Sequence, residues 1–546
     1  MKGSLKGTFC TFCLVLASAL CLAHSVAVKK ACIIGCGSGG LGLAASLKQL
    51  QSGVEEVYVY EARDNFLQAK LGGGIQLSGG AVILEKLGCL DALEKTAQPL
   101  ASVLTRDRGG KKLLSLDLRS LAKRLAKNTL CARGGAGEPL LYAIMRDSLI
   151  SILYEATQKL NPTRERSGNG GSGGSSGISQ VAGVDTKVTV VAGKRLVSLK
   201  EEGGKVTVTF GDGTSEGGFD LVVGGDGVGS AVRQYTAFPN QPIGVIGGIG
   251  EKGGLGDPDQ YTGIRISYCV TPPMGPAALP DTTDTADQKF QTQSSWVNKK
   301  PDLTDGVLLQ APGSEFSPAD RALLSSLRAK DRSSFHQWFG DSVYVLAASY
   351  GGSQGPQHML AVVYKDDQDA LYGQNPDWKV SENAKDLVLK RLKMAGFGEN
   401  GDLLDVLKAA SLPGGRFFDL GVKDSPIPLK SWSSESGRVI LMGDSAHAMS
   451  PFLGQGANQA LQDAYCLASL IRDANLKRTD MPTLAAKFES IRKPPTALLS
   501  LESSFLGRLE TLGSPVGNFV KDNFFRLMDK SGVAGLVYIF GALPKL

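Results

Sequence analysis

Three short stretches carry residue types suited to holding an anionic cofactor. The first is Gly35-Cys36-Gly37-Ser38-Gly39-Gly40. A glycine at Gly35 permits a tight turn, one at Gly37 lets a pyrophosphate approach the backbone, and one at Gly40 lets the next helix pack close. The first-turn N–H groups of that helix, at the positive end of its dipole, then face the anion. Glu61 stands at the spacing expected of a carboxylate that accepts hydrogen bonds from a ribose and repels a 2′-phosphate. This combination predicts a dinucleotide, FAD or NAD rather than NADP, at that site.

The second stretch runs Asp220-Leu-Val-Val-Gly-Gly-Asp226-Gly227, with Arg233 following. A buried strand delivers an acid to a Gly-rich turn, and alone it is no more than a strand and turn. The third runs Gly443-Asp444-Ser-Ala-His447, then Pro451-Phe-Leu-Gly454-Gln-Gly456-Ala457-Asn458. Again a strand leads to an Asp, and a Gly-rich loop opens a helix whose free N–H groups can face an electron-rich group. His447 reads as a structural hydrogen-bonding residue. The chain has four His in all, so a His-built metal site is not expected. No Ser/His/Asp set and no paired carboxylates stand out, so no catalytic acid or base is assigned.

The elements that must position these loops follow from periodicity. Residues 31–35 form a short buried strand, 39–51 an Ala- and Leu-rich helix, and 56–61 an alternating strand, together a βαβ unit. Residues 147–159 read as a helix, and 167–177 as a Gly/Ser-rich flexible loop. Strands are expected at 187–199, 205–210 and 220–224. From 238 to 433 the character changes to Pro-rich turns, a disorder-prone stretch at 271–292, and β runs at 342–349 and 359–364. A buried strand returns at 438–443 and a helix at 456–471. The fold class is therefore α/β: a discontinuous Rossmann-like dinucleotide-binding domain (28–237 and 434–494), which the resemblance given below makes FAD-binding, an inserted β-sheet (α+β) domain (238–433), which it makes the substrate domain, and a helical C-terminal tail (495–546). The tail is apolar at 516–540. Packing onto the protein is its expected role, and peripheral membrane contact is the alternative.

Residues 1–27 have a basic start, an apolar run and small residues at Ser25 and Ala27, the pattern of a secretory signal peptide. That places the chain in the secretory pathway, with an uncleaved membrane anchor as the alternative. The remaining six of nine Cys are scattered, without metal spacing or a dense disulfide framework. Lys+Arg of 59 against Asp+Glu of 53 gives a net charge of +6, too weak over 546 residues to argue for nucleic acid.

The ordered trio resembles the group A FAD-dependent monooxygenases, the para-hydroxybenzoate hydroxylase-like family. The resemblance is carried by Gly35 to Gly40, by Asp226-Gly227, by Gly443-Asp444 with the Pro451 to Gly456 stretch, and by Gly72 to Leu77 and Arg146 to Leu149. It covers about residues 30 to 475 and is thin in the middle. It implies that Gly35, Gly37 and Gly40 hold the pyrophosphate and that Glu61, with Arg63, serves the adenosine ribose. It places Arg146 near the flavin side chain and Asp444 at the ribityl–pyrophosphate region. Gly454, Gly456, Ala457 and Asn458 would line the isoalloxazine ring, with backbone N–H groups stabilising the reduced flavin. Asp226 and Arg233 would support FAD and the nicotinamide. The implied reaction uses NAD(P)H as a transient co-substrate to reduce FAD, and O2 to form a flavin hydroperoxide that hydroxylates or epoxidises a small aromatic or polyene substrate. A reductase or epoxidase of the same fold remains an alternative, as does a flavin-binding protein without turnover. The Trp-x-Trp-x-Ile-Pro pattern of flavin halogenases is missing from the sequence, and an NAD-dependent dehydrogenase would explain only the first stretch.

Overall fold

The computed structural model describes residues 27–67, 73–118, 120, 141–159, 185–237, 260–274, 316–329, 333–365, 384–425 and 429–535. The strand Lys30–Ile34 buries every residue after its first, because helices cover one face of the sheet it centres and a three-stranded sheet packs against the other. Its neighbours are Glu56–Tyr60 and Leu221–Gly224, and the five-stranded order is completed by Lys187–Val191 on one edge and Val439–Leu441 on the other. All four pairings are parallel. The last strand thus arrives from beyond the second sheet. The helix Ser38–Gln49 lies against the helix Gly456–Lys477. Gly42 makes the approach close, since a Cβ there would sit 3.0 Å from Leu461 and 3.4 Å from Ala464.

The expected strand at 187–199 is two. Lys187–Val191 joins the parallel sheet, whereas Leu196–Glu202 pairs antiparallel with Lys205–Phe210 in a separate three-stranded sheet with Ser215–Phe219. The change of sheet takes place around Gly193, where the Gly193 N–H bonds back to the Arg63 carbonyl.

The second large sheet has seven strands, in the order Arg416–Asp424, Gln260–Val270, Gln357–Lys365, Val343–Tyr350, Ser334–Phe339, Ser102–Asp107 and Lys112–Asp117. The final two correct the sequence reading. The hairpin that they form was assigned to the nucleotide domain, yet Ser102–Asp107 pairs in parallel with Ser334–Phe339. The sheet is buried on both sides. Val345, Leu360 and Val362 pack with the helices Pro318–Ala329, Ala384–Met394 and Gly401–Ala410. Their neighbours Tyr344, Ala361 and Val363 face the other way, toward the C-terminal helices. That explains why 359–364 reads as an unbroken apolar run rather than an alternating one.

The tail also differs from its expected bounds. One helix, Met481–Glu510, runs straight through Pro494 and Pro495, so the expected boundary at 494/495 falls inside it. Buried Arg492 and Thr496 anchor it on either side of the proline pair. A second helix, Ser514–Ser531, buries only Lys521 and Phe525. Val516, Phe519, Val520 and Leu527 on this helix are exposed. Among the described residues, no helix is long and apolar enough to cross a membrane. The signal-like segment and the 167–177 loop lie outside the described residues, as does most of 271–292.

The Phe525 ring sits 4.6 Å from Phe339 and 5.5 Å from Phe524. Truncation to alanine should cost about 3 kcal/mol, as for other buried aromatics. Thermal denaturation of Phe525→Ala checks this. An unchanged melting temperature would mean that the second tail helix is not docked on the sheet.

Candidate functional site

The first Gly-rich loop divides its work among its glycines. Gly35 has φ +106°, and a Cβ there would meet the Gly225 carbonyl of the second stretch. A Cβ on Gly40 would run into the Gly35 carbonyl oxygen. Gly37 is different: no described residue comes within 4 Å of its Cβ position. Two glycines are thus demanded by the protein's own packing, and one faces open space at the cavity. The helix that follows starts without a side-chain cap and without an acid in its first turn. Its N–H groups remain free for an anion.

Glu61 is buried at the end of its strand. One carboxylate oxygen accepts the Cys36 N–H at 3.0 Å, and the other accepts the backbone and side chain of Arg63 at 3.1 and 3.0 Å. It braces the loop as well as presenting an acceptor at the nucleotide end. Burial raises the Cys36 thiol far above its usual range, and the Glu61 charge adds to this, so Cys36 is an inert filler.

The third stretch is held by a buried ionic cluster. Gly443 turns with φ +60°, and its N–H donates to Asp463 Oδ2 at 2.8 Å. The same oxygen lies 2.6 Å from His447 Nε2, and Asp463 Oδ1 accepts Arg492 Nε at 2.6 Å. Asp463 and Arg492 are fully buried. Burial alone would raise the Asp463 carboxyl, but His447 and Arg492 outweigh it and hold it down to about 2. His447 is therefore structural, as expected, and packs against Trp432 at 5.2 Å. The sequence reading gave neither Asp463 nor Arg492 a role. The two are 29 residues apart on different helices, so no local spacing marks them.

The second stretch serves the third. Asp226 accepts the Ser230 hydroxyl and the N–H groups of Ala231 and Val232, capping the helix Ala231–Ala237. Buried Arg233, on that helix, donates to the Asp444 and Ser445 carbonyls at 3.3 and 3.1 Å. Both residues position the Asp444 turn, and neither lines the cavity.

The helix Gly456–Lys477 also opens without a side-chain cap or an acid in its first turn. Asn458 makes its loop rigid. Its Oδ1 accepts Ser78 and Gly80 N–H at 2.8 and 2.9 Å, and its Nδ2 donates to the Gln76 and Gly454 carbonyls at 2.8 and 3.0 Å. The Asn458 side chain is thus a brace, not a wall. Gly454, Gly456 and Ala457 do line the cavity, as do Gly37, Arg146 and Asp444. Arg146 opens the helix Arg146–Gln158. Its burial and the nearby Arg63 cation lower its pKa, against the opposing pull of Asp444 and Glu61.

This cavity, of about 480 Å³, runs from the two helix N-termini to the face of the seven-stranded sheet. Its far end is walled by residues such as Ile266, Phe335, Tyr344, Leu346 and Phe524.

Residues 431–497 match the FAD binding domain family model, which spans the Asp444 turn and the Gly456 helix. Across most of its length the chain shares the architecture of Klebsiella pneumoniae HpxO, solved with FAD and uric acid, at a TM-score of 0.60 and 18% identity, covering 94% of this chain and 97% of that one. The chain has the fold of the para-hydroxybenzoate hydroxylase-like flavoproteins. FAD is its cofactor. In sequence, it is 27% identical over 464 residues to the 3-amino-4-hydroxybenzoate 2-monooxygenase of Streptomyces platensis, covering 85% of this chain and 83% of that one. It is 44% identical over 80 residues to an FAD-dependent monooxygenase of Penicillium crustosum and 39% over 80 residues to the salicylate hydroxylase of Pseudomonas putida. Those short matches span 17% and 18% of the relatives' length.

The residues present suit the flavin. The open side of Gly37, two uncapped helix starts and the Arg146 cation all face one cavity.

Because only the cofactor competes for the space beside Gly37, Gly37→Ala should fold normally and bind FAD about tenfold more weakly or worse, a loss of about 1.4 kcal/mol or more. Gly40→Ala should instead reduce stability by about 1–3 kcal/mol or more through overpacking. Flavin content and denaturation midpoints of the two variants distinguish these outcomes. Asp463→Asn leaves Arg492 buried without its counter-charge and should cost about 3–5 kcal/mol, read by urea denaturation. Because the native carboxyl is depressed, the wild type keeps this contribution above about pH 4, its unfolded value, and loses it as pH falls toward 2.

Proposed function

We propose that this chain is an FAD-dependent monooxygenase that uses NAD(P)H and O2 to hydroxylate or epoxidise a small aromatic or polyene substrate. The observation that carries the reading is the continuity of one cavity from the nucleotide loop at Gly37 to the apolar wall at Phe335 and Tyr344. A dehydrogenase with a resident NAD would not require the second and third stretches to converge on the same space.

Bound FAD supplies electron transfer from the nicotinamide and activation of O2. The chain's own contribution is placement and field. Gly37 and the helix start at Ser38, in a loop whose packing Gly35 and Gly40 permit, would hold the pyrophosphate, and Glu61 with Arg63 would meet the adenosine ribose. Gly456 and Ala457 offer backbone N–H groups to negative charge on the reduced ring, and Arg146 adds a cation nearby. The apolar far wall keeps water away from the reacting atoms.

The N-terminal segment supports entry into the secretory pathway, with Val28 the first residue after cleavage. The exposed Val516, Phe519, Val520 and Leu527 support a peripheral membrane contact by the tail.

The purified protein should be yellow and should consume NAD(P)H and O2 faster when its substrate is present. Oxygen uptake and nicotinamide oxidation across a panel of phenols, polyenes and indoles test this, with NADH and NADPH compared. A colourless protein that takes up no FAD would overturn the reading. Bound FAD with no oxygen-linked oxidation across the panel would favour a reductase or a protein without turnover.

A further inference from the structure

The described residues that line the far end of the cavity include a single carboxylate, Glu510. It is 4% exposed, and its Oε2 has no hydrogen-bond partner. A buried carboxyl left unpaired costs free energy unless a ligand satisfies it. Its placement makes ionisation harder still. Glu510 is the last residue of the helix Met481–Glu510, at the negative pole of the helix dipole.

The helix face that carries Glu510 is fixed to the flavin loop. A Cβ at Gly507 would run into the Phe452 ring, so this glycine seats the helix on the Pro451–Leu453 turn just before Gly454. One turn earlier, Ser504 donates to Asp424 at 2.7 Å, and Asp424 also accepts the Ser450 hydroxyl at 2.7 Å. Glu510 follows Gly507 by three residues and lies on the same face, about one turn or roughly 5 Å further along. Its carboxyl is thereby held in the cavity, on a helix seated against the turn that precedes the ring loop.

Two titratable groups bear on it from neighbouring elements. Tyr344 of the strand Val343–Tyr350 lies on one side, its hydroxyl accepting the Gln337 amide at 2.8 Å. Lys521 of the helix Ser514–Ser531 lies on the other, its ammonium donating to the Gly340 and Leu512 carbonyls at 2.9 and 3.0 Å. Burial pushes the Glu510 carboxyl up to about 8, and the Lys521 charge opposes this only in part. Among the described lining residues the one cation is Arg146, at the nucleotide end.

Resting on the monooxygenase reading, we propose that Glu510 is the polar recognition group of the substrate pocket, and that the pocket takes an uncharged, ring-bearing hydroxy compound rather than a carboxylate. A substrate hydroxyl can both donate to and accept from the carboxyl. A substrate carboxylate would find an acid on the point of ionising and, among the described lining residues at that end, no cation to pair with. Two relatives are named for aromatic carboxylates, salicylate and 3-amino-4-hydroxybenzoate, so the inference separates this chain's pocket from theirs.

The test uses FAD-loaded protein and two flat probes, 2-naphthol and 2-naphthoate, with binding read from the flavin absorbance change. The wild type should bind 2-naphthol at least about tenfold more tightly. Its affinity for 2-naphthoate should fall about tenfold more as pH rises from about 6.5 to 9, because a second charge then appears beside the first. Glu510→Gln should keep naphthol binding and abolish that pH dependence. Glu510→Leu should weaken naphthol by up to about tenfold, the usual range for one lost hydrogen bond. FAD content should be unchanged in both variants. Three results overturn the proposal: naphthoate bound as tightly as naphthol, no saturable response to naphthol, or a pH dependence that survives in Glu510→Gln. Each would be seen with the flavin in place and so leaves the cofactor reading standing. A wild type that retains no FAD overturns that underlying reading instead.

Discussion

The architecture of the site depends on one buried carboxylate. Asp463 accepts the N–H of Gly443, lies against His447 and pairs with Arg492. Three elements meet at this group: the strand that ends at Leu441, the long helix after Gly456, and the helix Met481–Glu510. Each would otherwise carry an unpaired donor or charge into the core, where such groups are costly. The Asp444 turn therefore has one low-energy position. Arg233 also fixes it, through two carbonyls. The side chains of Asp226, Arg233 and Asn458 act as braces for backbone that faces the cavity.

This division explains what was legible in the sequence. The parallel sheet and its loops could be read because glycines and buried strands impose local, periodic constraints. The glycines at Gly35 and Gly40 have no freedom to vary, and their spacing states the turn. For Asn458 and Asp226 the motifs marked the neighbourhood and left their side-chain bonds unstated. Both make side-chain bonds to other parts of the chain, and a motif does not reveal where its partners lie. Arg492 and Glu510 left no trace for a related reason. A charged residue on a helix with polar neighbours looks solvated until the opposing surface is known.

The second sheet was legible in type and not in membership. Its central strands announce themselves as apolar runs, because both faces are covered. The hairpin at residues 102–117 has the same local pattern as any exposed ribbon, and its partner strand Ser334–Phe339 lies far along the chain. Such edge pairing is decided by tertiary packing rather than by propensity. The proline pair in Met481–Glu510 misled in the opposite direction, because buried contacts at Arg492 and Thr496 outweigh a local breaking signal.

The edge strand Val439–Leu441 carries a consequence for the order of assembly. Its partner Leu221–Gly224 is made long before it during synthesis, and five of the seven strands of the second sheet emerge between them. A ribosome-bound chain therefore holds a complete nucleotide loop with no flavin-ring loop to match. Long-range closure of this kind is slow, since the loop entropy is lost before any contact compensates. FAD uptake becomes a late event that acts on the finished polypeptide, and the cofactor reports on completed folding rather than nucleating it.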